Sequence, residues 1–362
     1  MSSTSANCKS PGIKPMELMS AWFRILNGRA PMLSIEITRE CPLHCPGCYA
    51  YNDEHLGGGA TLRQLSDFRG NALVDGVIGL VKKHRALHVS LVGGEPLMRK
   101  PELDRILPAL SEMGIFSLLV TSAVAPIPRH WRQIPRLKIT VSVDGLPEHH
   151  DVRRAPATYE RILRNIEDMR INVHLTITRP MVQSRDYLDE YFRFWTSRPE
   201  VDRIWVSTYT PQIGEQSPEM LTRNERRELI ERMAGWRARF PQVLMNPYIA
   251  HAFENPPRDP SDCVFARMSV NYSADLTTRV EPCIFGGNPD CAQCGCASSV
   301  GLHSLRRMKL AGPLKIGHML GGSMRIGSLA NRVRRSMNPS RWQGPPARNG
   351  QGKARDLTQI SG

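Results

Sequence analysis

Three cysteines stand close together at Cys41, Cys45 and Cys48, spaced C-x3-C-x2-C, and five more recur at Cys263, Cys283, Cys291, Cys294 and Cys296. Thiols in sets like these bind metal or do redox work. The first set follows a short apolar run, Leu33 to Thr38, and its loop Cys41-Pro-Leu-His-Cys45-Pro-Gly-Cys48-Tyr49 carries two prolines that rule out a helix. A loop that must gather three sulfurs folds around what they bind. Iron–sulfur clusters are held by cysteine thiolates, and three local thiols leave one iron of a four-iron cluster open to another ligand. A structural zinc site needs four closed ligands, usually as two Cys or His pairs. His44 is the candidate fourth ligand, yet it sits beside Cys45 and no second pair follows at zinc-finger spacing. The later set, C-x19-C-x7-C-x2-C-x-C, can close one further site with four of its five thiols, though its Cys-x2-Cys step also suits zinc. Cys8 is a lone thiol to which no role is assigned.

The cysteine loop after one strand-like run, together with Gly93-Gly94-Glu95-Pro96 after a second, resembles the radical S-adenosylmethionine (radical SAM) superfamily. The resemblance implies that Cys41, Cys45 and Cys48 bind a 4Fe-4S cluster whose fourth iron is chelated by the amino and carboxylate groups of S-adenosylmethionine (SAM). An electron from the cluster then breaks a carbon–sulfur bond of the sulfonium and releases a 5'-deoxyadenosyl radical. Gly93, Gly94, Glu95 and Pro96 would surround the methionine end, and Ser122 and Ser142 are ribose or carboxylate partners by family position. His150-Asp151-Val152-Arg153-Arg154 is similar to the His-Asp-x-x-Arg segment of radical SAM peptide maturases, which places Arg154 on the SAM carboxylate.

Gly47 stands where the family usually has an aromatic residue, and Tyr49 just after the third cysteine is the nearby aromatic candidate. A glycine at that position also resembles the adenosyl-hopene transferases, so a lipid or isoprenoid substrate stands beside a peptide or another small molecule. Arg279-Val-Glu-Pro-Cys283 looks like the Gly-x-Val-x-Pro-Cys of SPASM and twitch modules, with Thr278 in place of the glycine, and implies a second 4Fe-4S cluster. An external electron donor such as flavodoxin or ferredoxin follows from the same resemblance. The rival is a zinc-dependent nucleic-acid-binding protein, motivated by two cysteine sets and a pI near 9.7.

The elements that must position these residues read as an α/β chain. Apolar runs at Leu33–Thr38, Leu87–Val92, Phe116–Thr121, Leu137–Val143, Val173–Thr178 and Ile204–Tyr209 alternate with helix-like segments. One such segment carries Leu103, Ile106, Leu107, Leu110 and Met113, opened by Pro101 and closed by Gly114, with Pro108 awkwardly inside. Six strand–helix units predict a partial (β/α)6 TIM-like barrel of the radical SAM type, whose active site forms at the C-terminal strand ends. The motifs fall there in the sequence.

Four regions follow: residues 1–31, an extension with a short amphipathic helix over Glu17–Asn27; 32–254, the barrel; 255–301, the Cys-rich module behind the proline-rich Asn255–Ser261; and 302–362, a basic tail expected to be largely disordered. The net charge is +14, but residues 303–362 hold twelve Lys and Arg against one acid, Asp356. The body is therefore close to neutral, which argues against a nucleic-acid groove across the fold. No apolar run approaches the ~20 residues of a membrane span, and the first residues lack the apolar core of a secretory signal. The expectation is a cytoplasmic enzyme, with contact between its basic tail and an anionic membrane as the alternative to a merely solvated tail.

Overall fold

The computed structural model describes residues 15–311 and 314–337; Cys8 and residues 338–362, expected to be disordered, lie outside them. All six expected strands form: β1 (Met32–Glu36), β2 (His88–Val92), β3 (Phe116–Thr121), β4 (Leu137–Ser142), β5 (Ile171–Ile177) and β6 (Val201–Thr208). They join a parallel sheet of seven strands in the order β6-β5-β4-β3-β2-β1-β7. The seventh, β7 (Ser269–Tyr272), corrects the sequence reading. It comes from the region assigned to the Cys-rich module, yet it pairs in parallel with β1, Met32 opposite Ser269 and Ile35 opposite Tyr272. Val270 and Tyr272 bury with the barrel core, so the module boundary cuts through the sheet.

One face of the sheet is apolar and packs under helices. Leu33, Ile35, Val89, Leu91, Ile139, Val141, Val173 and Leu175 share a core with helices Gly70–His84, Lys100–Glu112 and Tyr187–Ser197. The helix Lys100–Glu112 keeps Leu103, Ile106, Leu107 and Leu110 buried and runs through Pro108. The opposite face is mixed and carries most of the polar groups: register sets Ser34 beside Ser90 and Asn271, Thr140 beside Asn172, and Ser142 beside His174 and, through it, Trp205, with Leu118 and Val120 of β3 among them. Parallel sheets with both faces covered are normally apolar on both. A second face with this many polar groups means that this side is kept for a ligand.

The amphipathic helix is present at Pro15–Leu26. The tail differs from expectation, because Ile316–Met337 is a continuous helix of 22 residues. Its glycines do not interrupt it, and Gly327 is a contact surface: a Cβ there would lie 2.2 Å from the Ile25 carbonyl oxygen. Ile25, Leu320 and Met324 bury together against Val264 and Met268. Tertiary packing across a small-residue surface outweighs the low helix propensity of glycine, which costs only about 1 kcal/mol per residue.

Candidate metal and cofactor site

The loop Cys41 to Cys48 is braced from three sides. Ahead of it, Arg99 donates to Glu40 Oε2 at 2.9 Å and to Asp67 Oδ2 at 2.7 Å, while Asp67 also accepts from Thr38 Oγ1 at 2.8 Å. Beneath it, Glu95 N donates to the Glu40 carbonyl at 2.8 Å and Gly94 N to the Thr38 carbonyl at 2.9 Å. A Cβ on Gly94 would come within 2.2 Å of that Glu40 oxygen. The glycine pair is thus needed for approach of the chain's own cysteine loop. From the far side Arg153 Nη2 donates to the Pro46 carbonyl at 3.0 Å. Gly47 has a left-handed φ of 61°, and a Cβ on it would meet the Tyr209 ring at 2.5 Å. The ring held against this position therefore comes from the end of β6.

Past β4 lies a buried charge network that spacing alone did not reveal. Asp144, wholly buried, accepts from Arg153 Nη1 and Arg154 Nε, each at 2.6 Å, and from Thr176 N at 2.9 Å. Arg153 also grips Glu219 with two bonds of 2.7 and 2.9 Å. Burial opposes ionisation of Asp144, but the two guanidiniums and the Thr176 amide outweigh it and hold the carboxyl far below its usual range. Arg154 spends Nε on Asp144, and its charge acts on the thiols of Cys45 and Cys48. That leaves a guanidinium edge beside the cysteine loop, suited to a carboxylate.

His150 is fully buried, with Nε2 toward the Ala157 carbonyl at 2.7 Å and Nδ1 accepting from Asp144 N at 3.0 Å. This arrangement requires the neutral ring. Burial first, then Arg154, push its pKa down to about 4, against about 6.5 for histidine in an unfolded chain. The stabilising effect is whole above pH 6.5 and is lost as pH falls toward 4, because only the unfolded chain takes up the proton in that window. The expected cost is about 3 kcal/mol across it. Urea midpoints compared at about pH 7 and about pH 5 should fall more for the natural protein than for His150→Gln; equal shifts would contradict the assignment.

Glu95 has its acceptor positions filled by protein. It takes Thr121 Oγ1 at 2.5 Å, Leu97 N at 2.9 Å, Ser122 N at 2.8 Å and the Ser122 hydroxyl. Its first task is to lock the ends of β2 and β3 together, and Ser122 is its partner. Pro96 opens the short turn Pro96–Arg99 that follows. Ser142 closes β4 and faces His174, whose Nε2 lies 2.8 Å from Ser207 Oγ.

The second cysteine set converges. Cys263, Cys283, Cys291, Cys294 and Cys296 line one pocket with Phe265, Ile284, Phe285 and Ser299. Cys263 Sγ lies 3.2 Å from Ser299 Oγ. Arg226 binds this loop to the barrel, donating to the Gln293, Cys294 and Phe253 carbonyls and to Thr208 Oγ1. The module also packs directly on the first loop. His55 Nε2 meets Glu36 Oε1 at 2.9 Å while its Nδ1 meets the Phe285 carbonyl at 3.0 Å, and the Tyr49 and Phe285 rings stand edge to face at 5.4 Å. Glu36 accepts in turn from Ser273 Oγ at 2.6 Å. Burial first, then Glu36, Cys48 and Cys296, push the Tyr49 phenol up, so residues of both cysteine segments act on it. Gly286 has φ of 67°, and a Cβ would collide with the His55 carbonyl at 1.8 Å. Gly286→Ala is therefore expected to separate the module from the first loop and to lower bound iron toward half. Iron analysis of the purified protein reads this directly; an unchanged content would show that the junction is dispensable.

Residues 35–192 match the family model described as the radical SAM superfamily. That segment of the chain is similar to the superfamily. Solved radical SAM structures share its fold at low identity. Streptococcus suis SuiB bound to precursor peptide SuiA aligns at 17% identity over 84% of this chain and 77% of that one, TM-score 0.54. Native anSMEcpe with bound AdoMet aligns at 14% identity over 84% of this chain and 97% of that one, TM-score 0.50. Against SuiB bound to S-adenosylmethionine the chain spans 64% of that protein's length, with 16% identity over 75% of this chain and TM-score 0.48. A search of curated proteins finds no significant match. The family match favours an enzyme of SAM chemistry over the zinc-dependent nucleic-acid-binding alternative.

The radical SAM cluster fits the first thiol set by donor chemistry. Burial first, then Glu95 and the neighbouring thiols, push Cys41 up to about 11, and Cys291 and Cys296 reach about 12 through burial and nearby thiols. Such thiols ionise when a cation repays the burial, and metal binding releases their protons. Among the described residues no three Cys, His, Asp or Glu side chains converge tightly enough to hold a single ion, so the fit rests on donor type and enclosure. Sequence reading missed Asp144 as a hub, Arg153, Glu219, Tyr209, the Glu36–His55 pair and Arg226. Only Arg153 carried a signal, as the neighbour of a motif arginine.

Proposed function

We propose that this radical SAM enzyme cleaves SAM reductively at the Cys41/Cys45/Cys48 cluster, carries a second 4Fe-4S cluster on four of the five later cysteines, and modifies a peptide. The observation that carries the reading is the junction of the two cysteine-bearing segments, where Tyr49 stands edge to face with Phe285 at 5.4 Å and His55 joins Glu36 to the Phe285 carbonyl. When bound, the reduced first cluster supplies one electron to the SAM sulfonium, breaking a carbon–sulfur bond to give methionine and a 5'-deoxyadenosyl radical. The chain's own residues prepare that step. Arg153 fixes the loop through the Pro46 carbonyl and Arg154 presents its guanidinium edge to the methionine carboxylate. Tyr209 against Gly47 supplies a ring beside the adenine end, with Tyr49 on the module side. An external flavodoxin or ferredoxin is the expected electron donor.

A peptide is favoured over a lipid or isoprenoid by the polar groups on this second face of the sheet. Thr140 Oγ1, Trp205 Nε1 and Asn271 Oδ1 are buried there without a hydrogen-bond partner, as are His88 Nδ1 and Ser269 Oγ at the strand starts. Unpaired buried polar atoms cost about 1–3 kcal/mol each, which a hydrogen-bonding substrate or water recovers and a hydrocarbon does not. The fold shared with SuiB, solved with its precursor peptide, agrees with this choice. The test is anaerobic turnover with a reductant, SAM and candidate peptides, following 5'-deoxyadenosine by chromatography and peptide mass by spectrometry. Peptide-dependent stimulation supports the reading; stimulation by isoprenoid lipids and not by peptides would overturn the substrate.

A further inference from the structure

A broad apolar face lies at the end of the barrel away from the cysteine loops. Glu17 of the helix Pro15–Leu26 pairs with Arg136 at 2.6 Å, and Arg136 immediately precedes β4, so this helix covers the N-terminal strand ends. The long helix Ile316–Met337 packs on it through Ile25, Leu320 and Met324. A hydrogen bond from Asn331 Nδ2 to the Gly28 carbonyl at 2.6 Å adds to the seam. Burying these inner faces leaves an outer one in solvent. Met16, Met19 and Phe23 on the first helix and Ile326, Leu329 and Val333 on the second are all at least half exposed, Phe23 and Leu329 at 59% each. Both triplets repeat at helical spacing and form stripes.

The second helix carries basic residues and no acidic one. Arg325 and Arg332 are exposed on the second helix, and residues 303–362 hold twelve Lys and Arg against a single acid. Beside the first helix, Arg24 lies close enough to Arg29 and Arg85 to feel both, and its Nε and Nη1 are buried without an acceptor. A second copy of this chain would cover the apolar stripes but would set arginines against arginines. An anionic surface satisfies both features.

We propose that this face docks on an anionic lipid bilayer, seating the barrel by the N-terminal ends of its strands and leaving the cysteine loops pointing away from the membrane. The assignment does not depend on which substrate the enzyme modifies. Among the described residues no helix is long and apolar enough to cross a membrane, so the contact is peripheral.

The test is sedimentation of the full chain with phosphatidylcholine vesicles, with and without phosphatidylglycerol. Binding is expected only when phosphatidylglycerol is present, and it should fall roughly tenfold for Phe23→Gln with Leu329→Gln and by a similar factor for Arg325→Gln with Arg332→Gln. All four side chains are exposed, and unchanged iron content and circular dichroism identify folded variants. If the natural protein fails to sediment, or sediments equally with both vesicle types, the proposal is wrong. Light scattering after size exclusion gives the rival outcome: a dimer that Phe23→Gln with Leu329→Gln turns into a monomer would assign the face to a second copy and overturn the lipid assignment.

Discussion

Replacing Cys41, Cys45 and Cys48 together by alanine is expected to abolish 5'-deoxyadenosine formation while roughly half of the iron remains. After anaerobic reconstitution the natural protein should hold about eight irons and eight sulfides per chain, and the triple variant about four of each. The residual iron is the informative quantity. The two thiol sets meet at Tyr49 and Phe285 but are built on different chain segments, and the second keeps its own braces through Arg226. Loss of the first cluster should therefore leave the second in place. If 5'-deoxyadenosine persists, the site is misassigned. If all iron is lost, the two sites fold as one unit. Zinc without sulfide in the natural protein would remove the cluster reading altogether.

Arg153→Ala is expected to be the most damaging single change outside the cysteines. Its side chain joins Asp144, Glu219 and the Pro46 carbonyl, which lie on three separate chain segments, and all three of the charged groups are nearly or wholly buried. Removing Arg153 strands Glu219 in a poorly solvated site and leaves Asp144 only Arg154 and the Thr176 amide, at a cost of about 3–5 kcal/mol. It also frees the loop that carries Cys45. Both effects can be measured: a lower urea midpoint, and a first cluster that loses iron faster to a chelator. Arg153→Lys should recover part of the stability, since the charge stays, but little of the loop restraint, because lysine cannot make the paired bonds to Glu219 while reaching Pro46. A variant with unchanged chelation kinetics would show that Arg153 serves the fold alone.

The same residues show how far a sequence reaches. Cysteine spacing and the glycine pair at Gly93–Gly94 were enough to name the chemistry, because thiol sets and close-approach glycines are local signals. The strand–helix alternation was equally legible in strands β1 to β6. β7 was not, since Ser269–Tyr272 is four residues long and sits among cysteines, and only its pairing with β1 makes it part of the sheet. The helix Ile316–Met337 failed for a related reason: its glycines weaken a helix in isolation but allow close packing against Ile25 once that neighbour exists.

By itself the sequence determined that two thiol sets, a Gly-Gly-Glu-Pro turn and a strand–helix repeat belong to one chain, and hence which family it resembles. The tertiary structure decided how those parts are used. It filled the acceptors of Glu95 with protein donors, made Asp144 a hub for two arginines, and set the Tyr49 ring against Phe285 although the two are remote in the chain. The physical reason is that hydrogen-bond satisfaction and burial are properties of a place, and a place on this sheet is assembled from strands that are remote in the chain.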